Sequence, residues 1–296
     1  MNILKLSEKI RRYAKDIFLL PTNMHRLIER QSSAQAEGVS KSAHRAIINN
    51  LSTVKAQYSE GFVRLDGANY IIDPARTIET LNEVILRRDY DFNWTGGNYV
   101  VIDIGMNVGF ATVCKARDPN VVHVYGFEPL LPTYRLARRN IEVNPELVHK
   151  ITTFNIGLSN AEEMLEIKYC ENEIMSISSE GTFDTCFRGN INIETIAIKP
   201  AAAVLGEIFE RHPNVPIFLK CDCEGAEFKI FRSLRDAGLM EKISIVIVEW
   251  HGAPPDELIT ILTTCGFSCF SQVINVEWNV GMIRAVRTSW ASTVQK

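Results

Sequence analysis

Seven residues, Asp103-Ile104-Gly105-Met106-Asn107-Val108-Gly109, follow directly on the apolar run Tyr99-Val100-Val101-Ile102. A buried strand that ends in an acid and opens into a Gly-x-Asn-x-Gly turn can fold back sharply and bring its backbone close to a ligand, because glycine has no Cβ to clash. This pattern predicts the first strand of a doubly wound α/β sheet, tipped by a nucleoside-cofactor loop. Val121-Val122-His123-Val124-Tyr125-Gly126-Phe127 reads as the neighbouring strand and ends at Glu128, nineteen positions beyond Gly109. An acid placed there can accept both hydroxyls of a ribose.

Nicotinamide enzymes also carry an acid about 20 residues beyond a glycine turn, but three glycines seat their pyrophosphate on a helix N-terminus. Here the middle glycine is Asn107 and the third is missing, since Phe110, Ala111 and Thr112 follow Gly109. Asp103 also sets a negative charge at the strand tip, which repels a pyrophosphate and suits a cation. S-adenosylmethionine offers an ammonium and a sulfonium and no phosphate. Asp103, Gly105, Asn107, Gly109 and Glu128 are therefore the expected cofactor-binding residues, with Asn155 at the adenine edge.

Beyond residue 99 strands and helices alternate, as a doubly wound, mostly parallel sheet requires. Helices are expected over residues 108–115 and 132–144, and a third strand over 151–156. The alternation breaks over residues 160–198, where 165–169 and 191–196 read as strands flanking a loop rich in Ser, Gly and Thr. An insertion at that place serves either as a roof for the substrate pocket or as surface elaboration. The fourth and fifth strands, over 215–221 and 243–248, carry Lys220, Asp222 and Glu224, then Glu249, Trp250 and His251, at their tips.

Open α/β sheets bind ligands outside the carboxyl ends of their strands, so these groups face the crevice of the cofactor loop. Methyl transfer to a hydroxyl needs alignment and removal of the nucleophile's proton. Asp222, Glu249 and His251 are the expected catalytic residues, with His251 as the base and either acid as its partner or as a substrate clamp. Glu227, on the following helix, is expected to pair with a nearby Lys or Arg. Magnesium on Asp222, Glu224 and Glu249 is the other use of such hard oxygens, and it is not favoured, because sequence supplies ligand types without geometry.

In order and spacing, four blocks resemble the FkbM family of S-adenosylmethionine-dependent methyltransferases. They are the Asp103 to Gly109 turn, Gly126-Phe127-Glu128-Pro129, Lys220-x-Asp222-x-Glu224-Gly225-x-Glu227, and Val248-Glu249-Trp250-His251. The resemblance runs over residues 99–286, and its most specific piece is the Lys-x-Asp-x-Glu-Gly-x-Glu block. It implies a class I methyltransferase, Rossmann-like fold and methylation of a hydroxyl on a sugar, glycan or secondary metabolite. A nicotinamide-dependent oxidoreductase and a non-catalytic scaffold on the same sheet are the alternatives.

Residues 1–95 read as a helical N-terminal extension with a small hairpin, and residues 96–290 as the cofactor-binding domain. Residues 1–60 carry a net charge of +5, which leaves −8 for the remainder of a chain whose overall charge is −3. That balance argues against a nucleic-acid partner. Ile3, Leu6, Ile10, Ile17 and Leu20 recur near helical spacing, with Lys5, Lys9, Arg12 and Lys15 on other faces, until Pro21. Such a helix suits peripheral contact of residues 1–20 with an anionic membrane; packing on the catalytic domain, or on a second subunit of a homo-oligomer, is the expected use. A second helix is expected over residues 43–57, an Asp66-Gly67 hairpin over 62–72, and a helix over 75–88.

No stretch approaches the ~18 apolar residues of a membrane span. Seven cysteines, an odd number without framework spacing, suit a reducing compartment and buried thiols. A cytoplasmic enzyme acting on a small-molecule or glycan acceptor is the expectation.

Overall fold

The computed structural model describes residues 57–59, 62–71, 77–94, 96–170 and 191–291. The basic helix expected over residues 1–20 and the Ser/Gly/Thr-rich loop at 171–190 lie outside the described residues. So does the helix expected over 43–57, apart from Gln57, which opens a strand. The chain divides into two compact units, Met1–Arg88 and Asp89–Lys296.

In the first unit, β1 (Gln57–Ser59), β2 (Phe62–Leu65) and β3 (Ala68–Ile71) form an antiparallel sheet. Leu65 pairs with Ala68 across a turn in which Asp66 (φ 49°) and Gly67 (φ 85°) both take left-handed backbone. This is the type I′ geometry whose twist matches that of the flanking strands, and Asp-Gly suits it chemically. Helix α1 (Ile78–Leu81) then runs into a π turn over Asn82–Leu86, where the Arg87 N–H donates to the Asn82 carbonyl at 2.8 Å.

The second unit is the expected doubly wound sheet. Strands β4 (Tyr99–Ile104), β5 (Val121–Phe127) and β6 (Ile151–Phe154) are parallel and are joined by α2 (Phe110–Ala116) and α3 (Leu131–Glu142). The insertion follows as a sheet of its own. Strands β7 (Gly157–Ser159), β8 (Glu163–Cys170) and β9 (Ile191–Pro200) lie in the order β7-β9-β8, around Leu130, Ile167, Ile196 and Ile198. Helix α4 (Ala201–Arg211) returns the chain to the main sheet through β10 (Ile217–Cys221), α5 (Glu227–Asp236) and β11 (Ile243–Trp250).

Helix α6 (Asp256–Thr264) leads into the antiparallel pair β12 (Phe267–Asn275) and β13 (Val280–Arg287). The complete order is β12-β13-β11-β10-β4-β5-β6, with β13 antiparallel to β11. Every residue of β4 and β10 is buried, which is why both, apart from Asp103 and Lys220, read as apolar runs and not as alternating strands. No strand beyond the fifth is legible in the sequence, and β12 shows why. It is the edge strand, and Phe270, Val273 and Ile274 are exposed on it, so inward and outward residues do not separate. Among the described residues no helix is long and apolar enough to cross a membrane.

Winding runs outward from β4 to β6 on one side and from β10 to β11 on the other. The order therefore reverses between β4 and β10, where a crevice opens above the strand tips. A close approach holds β13 against β11: a Cβ on Gly281 would run into the Trp250 ring and the Gln272 carbonyl oxygen. Gly281→Ala is expected to cost about 1–3 kcal/mol by overpacking, read as a lower urea midpoint. An unchanged midpoint would mean that the strands part freely there.

Candidate active site

The loop after β4 is built around positive φ at Gly105 (72°), Asn107 (50°) and Gly109 (81°). Gly105 is obligatory for a second reason, since a Cβ there would fall within the carbonyl group of Asp222. The loops following β4 and β10 thus touch backbone to backbone. Gly105 and Met106 N–H groups both donate to the Phe127 carbonyl, at 3.0 and 2.9 Å, which ties the same loop to β5.

Glu128 turns back over that loop. Its carboxylate accepts the Leu130 N–H at 2.9 Å and the Asn107 N–H at 3.2 Å. Burial nevertheless pushes its pKa up to about 7, with the two amides pulling the other way. Asn155 donates to the carbonyls of Glu128 (2.9 Å) and Pro129 (2.8 Å), so its amide holds the segment that carries the acid.

Asp103 is not a free charge at the crevice. The β4–β10 register pairs Asp103 with Lys220, and in a parallel pair that sets both side chains on one face. Lys220 Nζ lies 3.1 Å from Asp103 Oδ1 and 3.6 Å from Asp222 Oδ2, and donates to the Gly105 carbonyl at 2.5 Å. The Thr112 hydroxyl donates to Asp103 Oδ2 at 2.6 Å. Burial works against the ammonium charge, and Asp103 and Asp222 outweigh it, holding Lys220 above its ordinary range. The strand-tip charge seen in the sequence is matched inside the protein.

Across the crevice stand the tips of β10 and β11. Glu227 is fully buried in the first turn of α5 and accepts the Cys223 N–H at 2.9 Å and the Gly225 N–H at 3.0 Å. Its side-chain partner is His251 Nδ1, at 3.0 Å. This corrects the expected pairing of Glu227 with a Lys or Arg: the residue points inward from the helix start, where the imidazole and two loop amides meet it. His251 Nε2 faces the crevice, 3.7 Å from Glu224 Oε2 and 3.9 Å from Glu249 Oε1. Burial lowers the affinity of the ring for its proton, but the Glu227 bond and carboxylate raise it further, up to about 10.

Sequence reasoning missed Tyr90, which no spacing rule connects to the strand tips. Its buried hydroxyl lies 2.7 Å from Asp222 Oδ2 and 3.1 Å from Glu249 Oε2. One hydroxyl proton serves one carboxylate at a time, so the second contact forms best when that acid is protonated. Burial first, and then the Asp222 charge, push Glu249 up to about 7. The Cys221 and Cys223 thiols that flank Asp222 lie 3.7 Å apart and are unbridged. Beside Glu224 and His251 a cavity of about 510 Å³ opens, lined also by Phe228, Lys229 and Pro254.

The structure therefore brings Asp222, Glu249 and His251 together, through Tyr90 and the approach of His251 to Glu249. Glu128 is bonded to Asn107 in the Gly105–Gly109 turn, Asn155 holds the Glu128 segment, and Asp103 lies between Lys220 and Thr112.

The family profile described as the Methyltransferase FkbM domain matches residues 103–269. A protein named Methyltransferase sdnD, from Sordaria araneosa, is 24% identical over 189 residues, which are 56% of this chain and 72% of that protein. Among solved structures, Methyltransferase FkbM from Methylobacillus flagellatus KT aligns with a TM-score of 0.44 at 14% identity, over 68% of this chain. The chain spans only 47% of the length of that structure. M. capricolum TrmK in complex with S-adenosyl-homocysteine aligns with a TM-score of 0.37 at 12% identity, over 71% of this chain and 68% of its own.

Proposed function

Because the chain belongs to the FkbM methyltransferase domain family, we propose that it transfers the methyl group of S-adenosylmethionine to a hydroxyl of a sugar, glycan or secondary metabolite. One observation carries this reading. The Gly105–Asn107 backbone lies between two sets of acids, bonded to Glu128 on one side and meeting Asp222 on the other. A ligand whose ribose is held by Glu128 would point its far end at Asp222, Glu249 and His251.

The bound cofactor supplies an electrophilic methyl carbon on positive sulfur. The loop residues fit it: Glu128 is aimed by two amides to accept ribose hydroxyls, and Gly105 and Gly109 leave the backbone open to approach. Asp103 acts through Lys220 by fixing the Gly105 carbonyl. Tyr90 holds Asp222 and Glu249 in register. Glu249 would take the proton of the acceptor's hydroxyl, and the bound cofactor would supply the methyl group and leave as S-adenosylhomocysteine. This moves the base from His251, whose ring already carries a proton beside Glu227. The free thiols support a reducing compartment, and a cytoplasmic location belongs to the same reading.

Calorimetric titration with S-adenosylhomocysteine and with NAD is the first test, and binding of the former alone is expected. Labelled methyl groups should then enter hydroxylated acceptors as alkali-stable ethers; NAD binding, or label recovered only as base-labile esters, would overturn the reading.

Glu128→Gln is expected to weaken S-adenosylhomocysteine binding by about 10–100-fold, because an amide replaces a charged double acceptor. The wild-type affinity should also fall as the pH drops. Its raised pKa near 7 leaves the buried carboxyl protonated below that pH, so the ribose must compete with a proton for it. A pH-independent affinity in the wild type would remove Glu128 from the ribose site.

A further inference from the structure

We propose that Asp222, Glu224 and His251 bind one divalent first-row cation at the mouth of the crevice. One ligand atom from each of the three lies within 4.8 Å of the others. Ligands around a single ion lie at most ~4.2 Å apart, twice a bond of ~2.1 Å, so the side chains need to draw in by roughly half an ångström.

The imidazole is the strongest indication. His251 is 7% exposed, with Nδ1 bonded to Glu227, which has no exposure at all. A buried carboxylate on one ring nitrogen is the usual support of a metal-bound histidine, since it sets the tautomer and turns the other nitrogen outward, where the ion takes the place of the Nε2 proton. Here the other nitrogen is Nε2, and at 3.7 and 3.9 Å its nearest carboxylate oxygens are beyond hydrogen-bonding distance. The ring thus turns Nε2 toward the Glu224 and Glu249 carboxylates.

The charges point the same way. Asp103 is matched by Lys220 and Glu227 by His251. Asp222, Glu224 and Glu249 then converge on Nε2. A divalent ion placed among these oxygens offsets their mutual repulsion. Tyr90 and Lys220 both address Oδ2 of Asp222, which leaves its other oxygen for the ion. Two carboxylates with one imidazole suit Mn²⁺, Fe²⁺ or Zn²⁺ better than Ca²⁺, which takes oxygen ligands.

Metal binding does not depend on the methyl-transfer reading, and its test reads no activity. The full chain, stripped with EDTA and desalted, is titrated with Mn²⁺ while the EPR signal of the free ion is followed. Saturable uptake of one Mn²⁺ is expected, with nitrogen modulation from the imidazole in the electron spin-echo spectrum. Glu224→Gln is the decisive variant, because Glu224 is partly exposed and the change preserves its shape; it should weaken binding by about tenfold or more. Asp256→Asn, at the cavity edge and outside the ligand set, should bind as wild type. His251→Gln should remove the nitrogen modulation, provided that its melting curve shows a folded protein. No saturable uptake up to about 1 mM, the weakest range for protein cation sites, would overturn the proposal. Unchanged affinity in Glu224→Gln, or absence of nitrogen modulation in the wild type, would do the same.

Discussion

Methyl transfer by Glu249→Gln should fall by about 10²–10⁴-fold, the range that general-base catalysis contributes, while S-adenosylhomocysteine affinity stays within about twofold of wild type. The amide has the shape of the acid and can still accept the Tyr90 hydroxyl, so the crevice keeps its form. What it cannot do is take a proton. Single-turnover transfer of a labelled methyl group separates this step from binding. Activity within about tenfold of wild type would move the base elsewhere. Tyr90→Phe supplies the comparison: it frees Asp222 and Glu249 from their shared hydroxyl without removing either acid, and its loss should be smaller.

Lys220→Met should destabilise the fold by about 3–5 kcal/mol, because it strands a buried carboxylate without its counter-charge. Asp103 and Lys220 are 1% and 4% exposed, so water replaces little of the lost partner. The ammonium also holds the Gly105 carbonyl, and its removal should loosen the cofactor loop. Urea unfolding measures the first effect and cofactor titration the second. Asp103→Asn in the Lys220→Met background should recover part of the stability, since the stranded charge then disappears. If the double variant were no more stable than Lys220→Met alone, the loss would come from packing and not from the ion pair.

Local chemistry made much of the fold legible. The β4 and β5 runs, the turn between Gly105 and Gly109, and the Asp66-Gly67 hairpin each depend on residues a few positions apart, and the structure has all of them. The strand tips at Asp222 and Glu249 followed from the same patterns. Edge strand β12 did not, because solvent on both its faces erases the alternation that marks a half-buried strand. Tyr90 did not either, since it precedes the first core strand and meets its acids only through the folded chain.

Residue order alone was enough to decide the sheet class, the position of the glycine cradle and which loops carry the acids, because these arise from period, turn propensity and neighbours along the backbone. Only the folded sheet decided which charge meets which. Strand register set Lys220 beside Asp103, and the inward start of α5 turned Glu227 to His251. Pairings of that kind join residues 24 to 159 positions apart, whereas period and turn propensity relate residues only a few positions along the chain.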